Sequence, residues 1–290
     1  MKSSLQQDSR TGSQTHKGLD FCIRLHNLDH LDKLHATFRC VRVGGKDCDL
    51  EAVGHDGHHH TFFEMMGNWS FNGTYGRKES CAKAWELLTT NYELPTDRLF
   101  VTYFGGCDEL GLGQDLQTKE TWLELGVSPD RIIPFGAKDN FWQMGVSGPC
   151  GPCTEIHYAH SEGAGKHLVN ANNDQSVVEV WNLVFMQHFK NIDGSLQNLA
   201  NVHVDTGMGL ERMTAILNNS RSNYDTDLFQ PLFELIQAHT EAKPYSKSFQ
   251  KYDFIFTYHF KVITILIAAI LFHFLVKWIQ PTEFWLIMLG

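Results

Sequence analysis

The chain has 290 residues, enough for one large domain or two modest ones with an ample core. Its composition, 42% hydrophobic and 20% charged with no low-complexity block, is globular. The net charge of −9 argues against a broad nucleic-acid-binding surface, which shows as a basic excess. Seven irregularly spaced cysteines argue against a disulfide framework and read as reduced, intracellular thiols.

Residues 1 to 37 are polar and patternless, and with one early arginine and an acid at Asp8 they make a poor mitochondrial leader. Ala36–Val43 has the pattern of a strand, Gly44–Gly45–Lys46 that of a turn, and His58–Met65 that of a returning antiparallel strand. Helical spacing over Ser80–Thr89 and Leu116–Leu125 alternates with strands over Leu99–Tyr103 and Arg131–Phe135. Residues 161–175 read as a surface loop, and Glu179–His188 as a strand near the middle of a sheet. Val202–Val204 is strand-like and delivers Asp205. A Gly207/Gly209 turn is expected next, then a helix from Met208 to Leu217, with another over Asp227–Gln237. This order predicts an α+β fold, an antiparallel sheet flanked by helices. Between Lys261 and Lys277 lies an apolar run whose helix would span ~22 Å, short of the ~30 Å of a bilayer core unless its neighbours extend it over 262–279.

Four segments carry chemistry: CVRVGGKDCDLEAVGHDGHHHTFFEMMGNWSF (40–71), DNFWQMGVSGPCGPCTEIHY (139–158), EVWNLVFMQH (179–188) and VHVDTGMGLERM (202–213). In this order they resemble the catalytic domain of alanyl-tRNA synthetases, class II aminoacyl-tRNA synthetases, from about Phe38 to about Phe233. The resemblance implies a class II antiparallel sheet, here expected over 38–245. It also implies a divergent segment at 1–37 that leaves the domain incomplete at its N-terminal side, without its first motif, and an atypical hydrophobic tail at 246–290. Three readings of the tail are open: a frame that departs from the family, which is preferred, a membrane anchor, or a buried helix. The tRNA-recognition and editing domains of the family have no counterpart here, so contact with tRNA(Ala) is expected to be weak or absent. WNLVFMQH and FGAKDNFWQMG look closer to the mitochondrial branch, although both mitochondrial and cytoplasmic placements stay open.

The implied chemistry is attack of the alanine carboxylate on the α-phosphorus of ATP, with Mg²⁺ and fixed positive charge around the phosphates. By resemblance, Arg42 contacts the α-phosphate, Lys46 reaches the outer phosphates, and Arg212 lies against the nucleotide at a helix start. His60, Phe62 or Phe63, and Glu64 are expected to bind ATP, the phenylalanine by stacking on adenine and Glu64 by accepting from its amino group. Gly209 lets backbone approach ATP. Trp142, Val180, Trp181 and Asn182 are expected to line the ATP and alanine sites, with Asp205 taking the alanine ammonium. No protein metal site is expected, because the Cys150/Cys153 pair lacks a second pair, the resemblance implies that the GPCGPC segment is a loop in the active-site wall, and His58–His60 reads as an active-site strand. Val146 and Ser147 stand where the family has an acid and a threonine. The competing reading is an inactive synthetase-derived binding module or a membrane-tethered isoform. Oligomeric state is not legible.

Overall fold

The structure is a computed structural model, and it describes residues 32–41, 53, 57–171, 176–239, 245 and 288–289. The expected segments Gly44–Lys46 and 262–279 lie outside these residues, as do Arg42 and Lys46. Among the described residues, no helix is long and apolar enough to cross a membrane.

The framework is one twisted sheet. Its strands are β1 (Lys33–Val41), β2 (Phe62–Ser70), β3 (Leu99–Phe104), β4 (Ile132–Phe135), β5 (Phe141–Gln143), β6 (Gly148–Ala159), β7 (Val177–Lys190) and β8 (Leu196–Gly209). The order is β4-β3-β6-β7-β8-β2-β1, with β5 paired to β6 and a short β9 (Met288–Leu289) beside β1. Pairing is antiparallel except at β3–β4 and β1–β9. The expected α+β fold with an antiparallel sheet is therefore observed, with a parallel pair at each margin.

Helices α1 (Arg77–Glu86), α2 (Leu116–Glu124), α3 (Ala137–Asn140), α4 (Leu210–Leu217) and α5 (Gln230–His239) complete the fold. The Asp115 side chain accepts from Thr118 N at 3.2 Å and starts α2, satisfying an amide the first turn leaves unpaired. From α2, the Trp122 indole donates to Thr154 Oγ1 on β6 at 2.9 Å, which seats the helix on the sheet. Cys81, Ala84, Leu88 and Trp122 pack there against Ile156, Leu183, Phe185 and Val204. This face holds the largest apolar core; burying each large side chain there contributes about 1.5–3 kcal/mol.

Three expectations are corrected by the pairing. The GPCGPC segment is a strand rather than a loop: β6 is hydrogen-bonded to β7 across Gly148–Ala159, with a register break between Cys150 and Cys153. Bulges accommodate prolines that a regular ladder rejects, and Pro152 sits at this one. The returning strand starts at Phe62, because His58–His60 is tied instead to residues 222–224. Nor is there a Gly207/Gly209 turn: Gly207 and Gly209 lie in β8, held between β2 and β7, and the chain leaves the strand only at Leu210.

Gly151 is the tightest point of the β6 break. A Cβ at this position would stand 2.0 Å from the Phe185 carbonyl oxygen on β7, and backbone cannot move aside as a flexible side chain does. Gly151→Ala is expected to cost about 2–4 kcal/mol of stability in urea unfolding. A loss under ~0.5 kcal/mol would show that the β6–β7 approach is not the constraint described here.

Candidate active site

Paired residues of antiparallel strands share a sheet face, so the register sorts the site. One row reads Leu34, Trp69, Asp205, Val184 and Cys153 across β1, β2, β8, β7 and β6. The next reads Ala36, Gly67, Gly207, Asn182 and Glu155. These rows face away from α1 and α2. Their floor is apolar: Trp69, Cys153, Val184 and Met186 form one cluster, and Trp142 packs onto it from β5. The Trp142 strand reaches that position by pairing opposite Gly151.

Asp205 is fully buried in this floor. Burial pushes its carboxyl well above the usual range, and Trp69 across the strand pair offsets part of the rise. A buried carboxylate in apolar surroundings is a receptor for one compact cation, because an incoming ammonium restores the charge that burial penalises. Asn182, one row away, has its Oδ1 buried with no hydrogen-bond partner, which offers a second acceptor. Beside it, Glu155 accepts at Oε2 from His157 Nε2 (3.0 Å) and Asn170 Nδ2 (3.1 Å).

The residues expected from the sequence to meet ATP lie on three elements. On β2, Phe63 alternates with Met65 and Gly67 and so shares the Asp205 face, where it packs on Cys40. Phe62 and Glu64 point to the other side: Phe62 packs on Phe229 at 5.4 Å, and Glu64 meets Arg39 at 3.3 Å. His60 is buried with its Nδ1 3.2 Å from the Phe62 carbonyl, and its Nε2 accepts from Asn223 Nδ2 at 2.7 Å. Both its nitrogens hold the protein together in this conformation. Gly209 is extended, at φ −71° and ψ 121°, and caps α4. In the first turn of that helix, Arg212 donates from Nη1 to the Glu179 carbonyl at 2.6 Å.

Of the expected residues, the structure thus brings Trp142, Asn182 and Asp205 to one face, with Phe63 and Gly209 further along it, while Arg212 stands in the first turn of α4, bonded to β7. Val180 and Trp181 are elsewhere. Trp181 alternates with Asn182 and so shares the helix-side core with Leu183 and Phe185. The register break opposite Ile156/His157, where Val180 is the extra residue, puts Val180 there too, with Val178 and Met208. Val184, Cys153 and Trp69 were not singled out by sequence. Period-two spacing from Asn182 points to Val184, but nothing local marks Cys153 or Trp69. Cys150 and Cys153 lie in different apolar clusters, and among the described residues no three metal-ligating side chains converge.

The chain belongs to the class II aminoacyl-tRNA synthetase family: the family model described as tRNA synthetases class II (A) matches residues 20–271. Relatives similar to this chain include alanine–tRNA ligases. The mitochondrial enzyme of Mus musculus is 55% identical over 208 residues, 72% of this chain and 20% of its own. The cytoplasmic enzyme of Drosophila melanogaster is 55% identical over 210 residues, 72% of this chain and 22% of its own. The mitochondrial enzyme of Homo sapiens is 54% identical over 207 residues, 71% of this chain and 20% of its own. The chain spans about a fifth of the length of these relatives.

The elevated Asp205 pKa fixes a sign. Its folded value lies above the ordinary 3.8, so the folded state binds the extra proton, and stability falls as pH rises above that value. Asp205→Asn keeps the shape and removes the charge. It is expected to be about 1–3 kcal/mol more stable than wild type at pH 8, with the gap closing below about pH 4, in paired urea titrations. Equal stability at pH 8 would contradict the burial described.

Proposed function

We propose that this chain activates alanine with ATP, forming alanyl-adenylate and pyrophosphate, as the catalytic part of an alanine–tRNA ligase whose adenylate is then consumed by transfer to tRNA(Ala). The observation that carries this reading is Asp205: one buried carboxylate on an apolar floor, walled by Trp142, Val184 and Cys153. A small zwitterion with a methyl side chain matches that arrangement. Its ammonium meets Asp205, its methyl group meets the apolar walls, and its carboxylate turns toward the β8–α4 junction where the nucleotide is expected.

Adenine stacks on Phe63, and Arg212 faces the phosphates from the first turn of α4, where the helix N-terminus also favours negative charge. Arg42 and Lys46 add charge from the loop that follows β1 and lie outside the described residues. The two reacting groups are both anions, so what the protein supplies is alignment and positive potential rather than an acid and a base. Mg²⁺ enters with ATP and neutralises phosphate charge; the described residues offer no three-ligand protein site for it, and its coordination is left to the nucleotide.

The wall also sets the limits of specificity. A pocket that accepts a methyl group gains only about 1–3 kcal/mol over glycine, and a hydroxyl is rejected by a similarly small margin. Serine activation within about 10- to 200-fold of alanine is therefore part of this reading.

Alanine-dependent ATP–pyrophosphate exchange on the full chain tests it. Wild type should exchange, and Asp205→Asn should raise the alanine KM by roughly 10- to 100-fold, the loss of a charged hydrogen bond worth about 1.5–3 kcal/mol. Folded protein that binds a non-hydrolysable alanyl-adenylate mimic without exchange would instead make it a binding module.

A further inference from the structure

Strand β8 ends where it is most needed. Its last pair with β2 is Met65 opposite Gly209, and the next residue, Leu210, already belongs to α4. The following amide on β2, Glu64 N–H, would lose its partner there. It donates instead to Glu211 Oε1 at 2.7 Å, so a side chain from the helix adds one more rung to the ladder. Glu211 is buried, and its second oxygen, Oε2, is enclosed without a hydrogen-bond partner. The adjacent Arg212 reaches the opposite way, to the Glu179 carbonyl on β7 at 2.6 Å. The first turn of α4 is therefore fastened to both strands that flank β8, by two consecutive side chains.

We propose that Glu211 is a positioning residue for the nucleotide: by holding Glu64 of β2 against the first turn of α4, it fixes the distance between Phe63 and Arg212. This rests on the reading of the site as an ATP site. Phe63 is the residue next to the tethered amide, and Arg212 is next to the tethering carboxyl, so slack in this one hydrogen bond moves the adenine platform relative to the phosphate-facing guanidinium. A flexible side chain makes a short-range joint here that a main-chain ladder cannot, because the helix has already turned its backbone carbonyls, the acceptors the Glu64 N–H needs, away from β2.

The charges around Glu211 support a proton-dependent joint. Burial raises its carboxyl from the ordinary 4.5 to about 7; its own backbone amide and the Glu64 amide oppose that rise, the Glu64 carboxylate adds to it, and Arg212 opposes it weakly. Glu64 itself faces Arg39. The Asn223–Asp225 turn that also packs on α4 brings Asp225, held by Ser220 at 3.1 Å. Because the folded value is the higher one, the folded state holds a proton on Glu211 that the unfolded chain gives up. Stability is then full below about pH 4.5 and declines as pH rises through about 7.

The test uses the full chain, with Glu211→Ala and Glu211→Gln. In alanine-dependent ATP–pyrophosphate exchange, Glu211→Ala should raise the ATP KM at least ~10-fold while the alanine KM stays within ~2-fold. Glu211→Gln keeps an oxygen that accepts from Glu64 N–H and should restore the ATP KM to within ~2-fold of wild type. An unchanged ATP KM in Glu211→Ala, a parallel rise in both KM values, or a glutamine variant as impaired as alanine would overturn the proposal. Should wild type show no exchange, the enzyme reading fails on its own, and the same comparison is made by calorimetric binding of a non-hydrolysable ATP analogue. Should Glu211→Ala fail to fold, melting of Glu211→Gln between pH 5 and 8 decides: a flattened decline supports the joint, and a wild-type decline overturns it.

Discussion

One constraint organises this structure: a carboxylate must stay at the bottom of an apolar sheet face without collapsing the sheet around it. Asp205 achieves that only because β8 is held between two long neighbours, β2 and β7, so that its position is set by main-chain hydrogen bonds and not by the side chain's own preferences. The destabilisation that burial imposes is offset on the other face, where α1, α2 and α4 cover a larger core. A fold of this kind separates its tasks by face: one side supplies stability, and the other carries polar groups that are costly until a ligand meets them.

Close backbone approach is the second device. Gly151 lets β6 come against the Phe185 carbonyl, and its pairing with Trp142 folds β5 over the floor. At Gly67 the space a side chain would take is filled by the Trp69 indole, which lies back over the strand beside Asp205. The floor is thus built from an aromatic ring over a glycine, a geometry invisible to hydrophobic counting. A third joint lies outside the sheet. Residues 222–224 hold the backbone of 57–59 through Asn223 N to the Gly57 carbonyl (2.9 Å), Asn223 Nδ2 to the His58 carbonyl (3.1 Å) and Tyr224 OH to the His59 carbonyl (2.7 Å). These bonds aim the chain into β2 just before Phe63.

Much of this was legible from residues alone. Buried runs such as Leu99–Phe104 announce themselves, α2 carries its own cap, and the resemblance identified Asp205, Asn182 and Trp142, which the structure gathers on one face. What escaped notice has common physical causes. Glycine and proline read as turns, yet β6 and the end of β8 are strands because neighbours on both sides supply partners, which is a tertiary fact. Val180 and Trp181 were expected at the site together with Asn182; strand parity alone sends Trp181 to the opposite core, and a register break, which no local pattern signals, sends Val180 there as well. Phe62 and Phe63 are indistinguishable in sequence until the strand's parity is known. Nothing in the sequence marks Glu211, and only the register of β2 shows that it replaces a missing rung.

The central claim is that an ammonium is received by a carboxyl whose charge burial has penalised. Calorimetric titration of alanine at steps from pH 4 to pH 8, repeated in buffers of different ionisation enthalpy, tests it directly, because below the raised Asp205 pKa ligand binding that ionises the carboxyl releases a proton. Proton release that is present in wild type, together with loss of alanine binding in Asp205→Asn, is the result this account predicts. Alanine binding with equal affinity to both proteins, and no proton released that depends on Asp205, would contradict it.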